Sequence, residues 1–227
     1  MSVRLAVFAS GGGSNLQALL DRFADTPHVT PALVVSDRGD SGALRRATAA
    51  GVEALHIPVA GRSQQQLADD ILTALDEWDI RLIALAGYLR LVPPAVVARY
   101  RGRIVNIHPA LLPAFGGAGM YGRRVHEAVI DAGCRITGAT VHYVDERYDE
   151  GRIIAQWPVP VLHDDTAETL AARVLRIEHL LYPAVVDIVA RHLIDGAAGD
   201  AAASGEVFRL GTGDAGLAGD MMKLARI

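Results

Sequence analysis

Residues 3–16 read VRLAVFASGGGSNL, and this stretch decides the fold. The apolar run Val3–Ala9 predicts a buried strand, and the three glycines that follow it predict a tight turn. Residues 15–23 then carry four apolar side chains at helical spacing, which predicts a helix with one buried face. A buried strand, a glycine turn and an amphipathic helix together open a βαβ unit.

The same alternation continues outward from this stretch. Further buried strands are predicted over residues 32–35, 54–58, 82–86 and 105–107. Helices are predicted over residues 43–50 and 65–78. This order indicates an α/β fold with a doubly wound, mostly parallel central sheet and a Rossmann-like N-terminal half.

The pattern changes in the second half of the chain. Strands are predicted over residues 138–144 and 153–161, joined by the turn Asp149-Glu150-Gly151. Asp165 and Glu168 have the spacing of a capping box for a helix that begins at Thr166. Pro183 should kink or end that helix, which then continues over 184–192. A last strand is predicted over 207–210, so we expect one domain over residues 1–195 and a partly ordered tail over 196–227.

Charge and composition exclude several classes of protein. The 227 residues include 26 acidic and 22 basic side chains, a net charge of −4, whereas general polyanion binders are normally basic. The apolar runs are far shorter than the roughly 18 residues of a membrane span, and the first residues do not resemble a signal peptide. The single cysteine excludes an intrachain disulfide and a cysteine-cluster zinc site. We expect a cytoplasmic protein with no metal, nucleic-acid or membrane partner.

The glycine loop is a candidate anion site. The segment Gly12-Gly13-Ser14-Asn15 lies where a helix begins, and free backbone N–H groups at that point bind phosphate. A plain turn with a serine or asparagine cap explains the segment equally well. No Lys-Ser/Thr pair follows as in a Walker loop, and Leu16 replaces the third glycine of the dinucleotide fingerprint, although Asp37 suits its ribose-binding acid.

A second polar segment, Asn106-Ile107-His108-Pro109, follows a predicted buried strand. Its side chains should lie at the carboxyl end of the sheet, where open α/β sheets bind ligands. Alternation along the extended backbone places Asn106 and His108 on the same side. A carboxamide and an imidazole that converge on one oxygen can stabilise an oxyanion in acyl transfer. A buried histidine with a purely structural hydrogen bond is the simpler alternative.

Residues 106–113, NIHPALLP, resemble the signature of the folate-dependent formyltransferases, N-x-H-P-[SA]-L-L-P. Further blocks match in order: Gly13-Ser14-Asn15, Gly87–Arg90, Thr140–Val144 followed by Asp149-Glu150-Gly151, and Glu178-His179 before Tyr182-Pro183. The chain is most similar to the phosphoribosylglycinamide formyltransferase branch, over about residues 3–195. The resemblance implies the formyltransferase fold, a nucleotide-phosphate half over residues 1–100, and a catalytic and folate half over 101–195.

The resemblance implies transfer of a formyl group from 10-formyltetrahydrofolate, the co-substrate, to the amine of glycinamide ribonucleotide. Asn106 should bind the formyl oxygen, and protonated His108 should stabilise the oxyanion and supply a proton. Asp149 should pair with His108, which favours the imidazolium through the nearby opposite charge. Asp145 is the competing carboxylate, but the spacing from His142 favours Asp149.

The remaining contacts implied by the resemblance divide between the two substrates. The nucleotide phosphate should bind Gly12, Gly13, Ser14 and Asn15, and Glu178 should accept the ribose hydroxyls. The folate should contact Leu89, Arg90, Leu91, Val92, Val97, Asn106, Asp145 and Asp149.

Three departures from the family pattern affect these contacts. Leu175 stands where a glutamine is frequent, which removes a side-chain contact to the phosphate. Gln64 stands where an arginine often meets the folate glutamate tail, and Arg62 is a candidate substitute. The segment Gly116–Gly122 is longer and richer in glycine than in many members, which suggests a flap over the substrate.

Two other functions stay open. A formyltetrahydrofolate hydrolase shares the same three reactive side chains, although such proteins usually carry an N-terminal regulatory domain. A nucleotide-binding module without catalysis would leave Asn106, His108 and Asp149 unexplained. A methionyl-tRNA formyltransferase is disfavoured by the length and charge of the chain. The protein is expected to be a monomer or a homodimer.

Overall fold

The structure, a computed structural model, describes residues 2–196. The strands are β1 (Val3–Phe8), β2 (Val29–Ser36), β3 (Glu53–His56), β4 (Leu82–Leu85), β5 (Ile104–His108), β6 (Ile136–Tyr143) and β7 (Ile153–Pro160). The helices are α1 (Ser14–Phe23), α2 (Gly42–Ala49), α3 (Gln64–Glu77), α4 (Pro94–Arg99), α5 (Arg123–Asp131) and α6 (Ala167–Ile194). The predicted strand over 207–210 and the tail after Gly196 lie outside the described residues.

All seven strands form one sheet in the order β3-β2-β1-β4-β5-β6-β7. The first five strands are parallel, and β6 runs antiparallel to both β5 and β7. This arrangement confirms the predicted doubly wound, mostly parallel sheet. The chain builds outward from β1 to β3 and then crosses to β4 on the other side. The carboxyl ends of β1 and β4 therefore flank the position where such sheets bind ligands.

Helices cover both faces of the sheet and bury two apolar layers. Alternate side chains of β1 enter different layers: Val3, Leu5 and Val7 face α1, α2, α5 and α6, whereas Ala6 and Phe8 face α3 and α4. The two-sided burial explains why the parallel strands appear in the sequence as continuous apolar runs.

The longest helix, α6, fixes the strand ends beneath the candidate site. Tyr182 on this helix is fully buried, and its hydroxyl lies 2.9 Å from the carbonyl oxygen of Leu85 and 3.1 Å from that of Val105. This hydroxyl thus ties α6 to β4 and β5 at once. The pKa of Tyr182 is raised by burial, so the hydroxyl remains a hydrogen-bond donor.

Two details of α6 differ from the prediction. The helix runs through Pro183 to Ile194 without ending, because packing of α6 against the rest of the fold offsets the backbone hydrogen bond that the buried proline removes. The capping box is formed by Thr166 and Thr169 rather than by Asp165 and Glu168.

Asp165 cannot serve as the cap because its carboxylate is bound elsewhere. It accepts hydrogen bonds of 2.6 and 2.7 Å from the guanidinium of Arg173 and one of 2.7 Å from the backbone N–H of Leu162. The bond to Arg173 lowers the pKa of Asp165 to about 2. This ion pair joins the start of α6 to the chain that enters it.

Helix α4 was not predicted at all. It is only six residues long, follows Pro93 and begins with Pro94 at its first position. A proline there already has the backbone angle of a helix and lacks only an N–H that would be unpaired anyway. The segment is too short for helical periodicity to be recognised in the sequence.

Candidate active site

A cavity of about 490 Å³ opens over the carboxyl ends of the central strands. Its walls come from the turn after β4, the end of β5, the loop before α5, the turn between β6 and β7, and one side of α6. The polar side chains that line it include Asn15, Asn106, His108, His142, Asp149 and Glu178. Five of these six were predicted as site residues, and the cavity brings all of them together.

His108 is the last residue of β5 and its side chain is almost completely buried. Its Nε2 atom lies 2.9 Å from the carbonyl oxygen of Phe115, and its Nδ1 atom lies 3.5 Å from Oδ2 of Asp149. Burial lowers the pKa of His108, while the Asp149 charge and the Phe115 carbonyl oppose this effect. The sequence led us to expect an imidazolium favoured by Asp149, but burial has the larger effect and the neutral ring is favoured.

Asp149 is held in a left-handed backbone conformation, with φ 57°, on the turn between β6 and β7. Its Oδ2 accepts a 2.9 Å hydrogen bond from the N–H of Gly117, and its Oδ1 lies 3.4 Å from Nδ2 of Asn106. Burial alone would raise the pKa of Asp149, but the nearby imidazoles of His142 and His108 and the bond from Gly117 outweigh it, so the pKa is lowered. Asp149 is therefore an anion that faces His108.

His142 was not predicted as a site residue, yet it contacts two of the predicted catalytic residues. Its Nδ1 lies 2.8 Å from the carbonyl oxygen of Tyr143, and its Nε2 lies 3.0 Å from Nδ2 of Asn106 and 3.6 Å from Oδ1 of Asp149. Asn106 and His142 are direct partners across the antiparallel β5–β6 pair. The family resemblance could have indicated this residue, because His142 lies within the matching block Thr140–Val144.

The end of the cavity that is predicted to bind the nucleotide lies beside α1 and α6. Nδ2 of Asn15 donates a 2.6 Å hydrogen bond to Oε2 of the buried Glu178. Burial raises the pKa of Glu178, and the bond from Asn15 partly opposes this. Oδ1 of Asn15 is buried without a partner in the part of the chain that the structure describes. A ligand hydroxyl at this end can donate a hydrogen bond to the other carboxylate oxygen of Glu178.

The glycines of the loop are not among the residues that line this cavity, although Asn15 directly after the loop is. Gly13 has φ 77° and directly precedes α1, while Gly11 and Gly12 are exposed. Ser14 lines an adjoining cavity between α1 and α6 rather than the main one. Phosphate binding by this loop stays a prediction.

The predicted folate contacts separate into two groups. Leu89, Arg90, Leu91 and Val92 line the main cavity. Val97 is buried in the apolar layer beneath α3 and α4, and the side chain of Asp145 accepts a 2.9 Å hydrogen bond from the N–H of Arg147 outside the cavity lining. Arg90 is held by a 2.8 Å ion pair to the buried carboxylate of Asp37, so this acid is already occupied.

The three departures from the family pattern have clear positions. Leu175 lines the cavity and presents an apolar side chain there. Gln64 opens α3, and Arg62 forms an ion pair of 3.2 Å with Asp70. The segment Gly116–Gly122 contributes Gly117, Gly119, Met120, Tyr121 and Gly122 to the cavity wall.

His126 is a cavity residue that the prediction did not assign. It lies on α5, is almost fully buried, and has no partner for Nδ1 within residues 2–196. Its pKa is lowered by burial and, to a smaller extent, by the nearby His108. The sequence gives no sign that His126 faces the cavity, because a single histidine on a helix is equally typical of an exposed surface position.

No cluster of three or more histidine, cysteine or acidic side chains that could hold a metal is found within residues 2–196. Over the same residues, no helix is long and apolar enough to span a membrane.

Fold and site together define an α/β protein with a ligand cavity over the carboxyl ends of its central strands. A model of the formyl transferase family matches residues 3–186. The chain belongs to the formyl transferase family.

Relatives and solved structures agree with this assignment. The phosphoribosylglycinamide formyltransferase of Bacillus subtilis is 38% identical over 190 residues, which cover 81% of this chain and 92% of that protein. The chloroplastic phosphoribosylglycinamide formyltransferase of Vigna unguiculata is 43% identical over 193 residues. The match covers 84% of this chain but only 62% of that protein. The match to the chloroplastic relative of Arabidopsis thaliana likewise covers 66% of that protein's length. The crystal structure of phosphoribosylglycinamide formyltransferase from Brucella melitensis matches with a TM-score of 0.77 and 44% identity, and covers 84% of this chain and 96% of that one.

Proposed function

We propose that this protein transfers the formyl group of 10-formyltetrahydrofolate to the amine of glycinamide ribonucleotide, a step of purine biosynthesis. One observation carries the proposal: a single cavity is lined by Asn106, His108 and Asp149 and also by the Asn15–Glu178 pair. A group-transfer enzyme needs its reactive side chains and the binding sites of both substrates in one enclosed space. The relatives and the crystal structures bearing the phosphoribosylglycinamide formyltransferase name support this reading.

The reaction creates negative charge on the formyl oxygen. The substrate amine attacks the formyl carbon, a C–N bond forms, and the carbonyl oxygen becomes an oxyanion. Donors fixed in place before the reaction stabilise such an oxyanion without a reorganisation cost. Nδ2 of Asn106 and Nδ1 of protonated His108 are the donors available at the end of β5.

Proton movement completes the step. The attacking amine loses a proton, and the tetrahydrofolate nitrogen that leaves must gain one when its bond to the formyl carbon breaks. Asp149 is an anion and suits the first role, directly or through water, while His108 suits the second. The bond from His108 to the Phe115 carbonyl and the charge of Asp149 both stabilise the imidazolium at the moment it is needed.

The two ends of the cavity suit the two substrates. The apolar side chains of Leu89, Leu91 and Val92 suit a flat heteroaromatic ring such as the pterin. At the other end, Glu178 and Asn15 suit the ribose hydroxyls, and the glycine loop suits the phosphate. The division into a nucleotide half and a folate half, cytoplasmic location, and a monomeric or dimeric state stay predictions.

Turnover of 10-formyltetrahydrofolate with and without glycinamide ribonucleotide tests the proposal. Release of tetrahydrofolate should depend on the nucleotide, and formylated nucleotide should appear in equal amount. Equal release without the nucleotide, with formate as the product, would instead identify a hydrolase. Release in neither case would leave a nucleotide-binding module without catalysis.

A further inference from the structure

Arg46, on the exposed side of α2, makes two side-chain contacts at the glycine loop. Its Nε donates a 2.9 Å hydrogen bond to the carbonyl oxygen of Gly12, and its Nη1 donates a 3.0 Å bond to Oε1 of Gln17 on α1. The backbone N–H of Ala43, also on α2, donates a 3.1 Å bond to the carbonyl oxygen of Gly11. Helix α2 thus binds two successive carbonyls of the loop.

These two bonds determine where the loop N–H groups point. In a trans peptide the C=O and the next N–H point in opposite directions, and both peptides here are trans. When the carbonyls of Gly11 and Gly12 point to α2, the N–H groups of Gly12 and Gly13 point away from it. Neither N–H has a hydrogen-bond partner among residues 2–196. They remain available to an anion at the start of α1.

Close packing keeps the loop against α2. A Cβ atom on Gly42 would come within 2.8 Å of the Gly12 oxygen, and one on Gly13 within 2.9 Å of Ala43 Cα. The backbones therefore touch directly, and the contact leaves only the opposite face of the loop open. Arg46 closes the exposed side of this contact.

Arg46 also places a positive charge beside the loop. No carboxylate in the described part of the chain forms an ion pair with it, and it shares a cavity lining with Ser14. Leu175 offers no polar contact at the position where a glutamine is frequent in the family. The loop is thus the principal polar surface available for a phosphate at this end.

We propose that Arg46 is a positioning residue for the nucleotide phosphate. It holds the Gly12 peptide so that the N–H groups of Gly12 and Gly13 face the phosphate, and it acts through the loop rather than on the reacting atoms. This inference rests on the proposed function for the identity of the substrate, but not for the binding of a sugar phosphate at the loop.

The test compares Arg46→Met with Arg45→Met. Both changes remove one arginine from the same helix, but the Arg45 guanidinium contacts the carbonyl of Asp40 instead of the loop. We expect Arg46→Met to raise KM for glycinamide ribonucleotide about tenfold, equivalent to about 1.4 kcal/mol, with kcat and the folate KM within about twofold. Arg45→Met should leave all three constants within about twofold. Arg46→Lys should restore part of the loss, because a lysine can donate to the Gly12 carbonyl.

Measurements at high salt distinguish positioning of the glycine loop by Arg46 from general attraction between its charge and the phosphate. At about 1 M salt the screening length is about 3 Å, so a diffuse charge effect disappears while a bonded loop is unaffected. The difference between Arg46→Met and the wild type should persist there. An equal KM increase in Arg45→Met, or a difference that vanishes in salt, would overturn the inference. So would an Arg46→Met protein with unchanged KM.

Calorimetric titration with ribose 5-phosphate keeps this inference separate from the proposed activity. The wild type should bind the sugar phosphate, and Arg46→Met should bind it about tenfold more weakly at an unchanged Tm. If the wild type binds it in this way but transfers no formyl group, the role of Arg46 stands and the proposed function fails. If the wild type transfers formyl groups and Arg46→Met binds ribose 5-phosphate normally, the proposed function stands and the role of Arg46 fails.

Discussion

The Nε2 atom of His108 donates a hydrogen bond to the carbonyl oxygen of Phe115, 2.9 Å away. A carbonyl oxygen can only accept, so Nε2 keeps its hydrogen and Nδ1 is the atom that gains and loses a proton. Nδ1 is the atom that faces Asp149. Phe115 directly precedes the segment Gly116–Gly122 and has φ 57°. The position of this glycine-rich segment therefore sets the tautomer of the catalytic candidate.

Replacement of His108 by alanine should remove most of the formyl transfer. A positioned acid of this kind contributes about 10²–10⁴-fold to rate, so kcat should fall by that factor while KM for each substrate changes little. Steady-state kinetics measure both constants, and a thermal melt shows whether the variant keeps the stability of the wild type. His163→Ala, at an exposed histidine, is the control and should behave as the wild type. Near-normal turnover by His108→Ala at wild-type stability would exclude His108 from the chemistry.

His126→Asn should weaken the pH dependence of stability. The pKa of His126 is lowered in the folded protein, so below about pH 6.5 the unfolded chain takes up a proton that the folded one does not. This contribution makes the protein less stable as pH falls through about 6.5, by at most about 1.4 kcal/mol per pH unit. The lowered pKa values of His108 and His179 also make the protein less stable as pH falls, whereas the raised pKa of Glu178 has the opposite effect. The contribution of His126 must therefore be measured by comparing His126→Asn with the wild type.

Urea unfolding at pH 7.5 and pH 5.5 measures this difference. His126→Asn should lose less stability between the two pH values than the wild type, whereas His163→Asn should lose the same amount. Equal losses in all three proteins would show that burial of His126 does not disfavour its charged form.

The sequence predicted those parts of the fold that depend on local periodicity. Strand β1 and helix α1 were each found to within a residue, because a continuous apolar run and a period of 3.6 are both visible inside one short window. Alternation likewise predicted that Asn106 and His108 face the same side. The strands after β5 were also identified from their apolar runs and from the turn at Asp149.

Contacts between residues far apart in the sequence were beyond such reasoning. Asp165 was taken for a cap although Arg173 holds it, and Asp37 was considered as a ribose ligand although Arg90 holds it. The affinity of His108 for its proton depends on burial and on the Phe115 carbonyl, and neither is visible before the chain is folded. These are tertiary properties, and local propensity does not determine them.

Gly151→Ala should displace the turn that carries Asp149. A Cβ atom at this position would lie 1.8 Å from the carbonyl oxygen of Tyr143, so the backbone must move. We expect a loss of about 2–3 kcal/mol of stability from overpacking and a large loss of kcat, because Asp149 lies two residues away. Gly61→Ala is the control: it places a side chain at φ 77° in open space and should cost about 1 kcal/mol with full activity. Urea unfolding and steady-state kinetics measure both, and a Gly151→Ala protein that resembles Gly61→Ala would contradict the close contact.

Glu178→Gln should make the protein more stable at pH 8 and less able to bind its nucleotide. Burial raises the pKa of Glu178, so its stabilising contribution is present below about pH 4.3 and is lost as pH rises through the folded-state pKa. A glutamine keeps the 2.6 Å bond from Asn15 by accepting at its amide oxygen but removes the buried charge. Tm at pH 8 should therefore rise by at least about 2 °C, and the gain should shrink at pH 5.

KM for glycinamide ribonucleotide should increase about 10- to 100-fold in Glu178→Gln, because hydrogen bonds from hydroxyls to a carboxylate are lost. The exposed Glu77→Gln removes the same charge and should change neither value. A stable Glu178→Gln protein with wild-type KM would show that Glu178 does not bind the substrate, and a lower Tm at pH 8 would show that the buried carboxylate stabilises the fold.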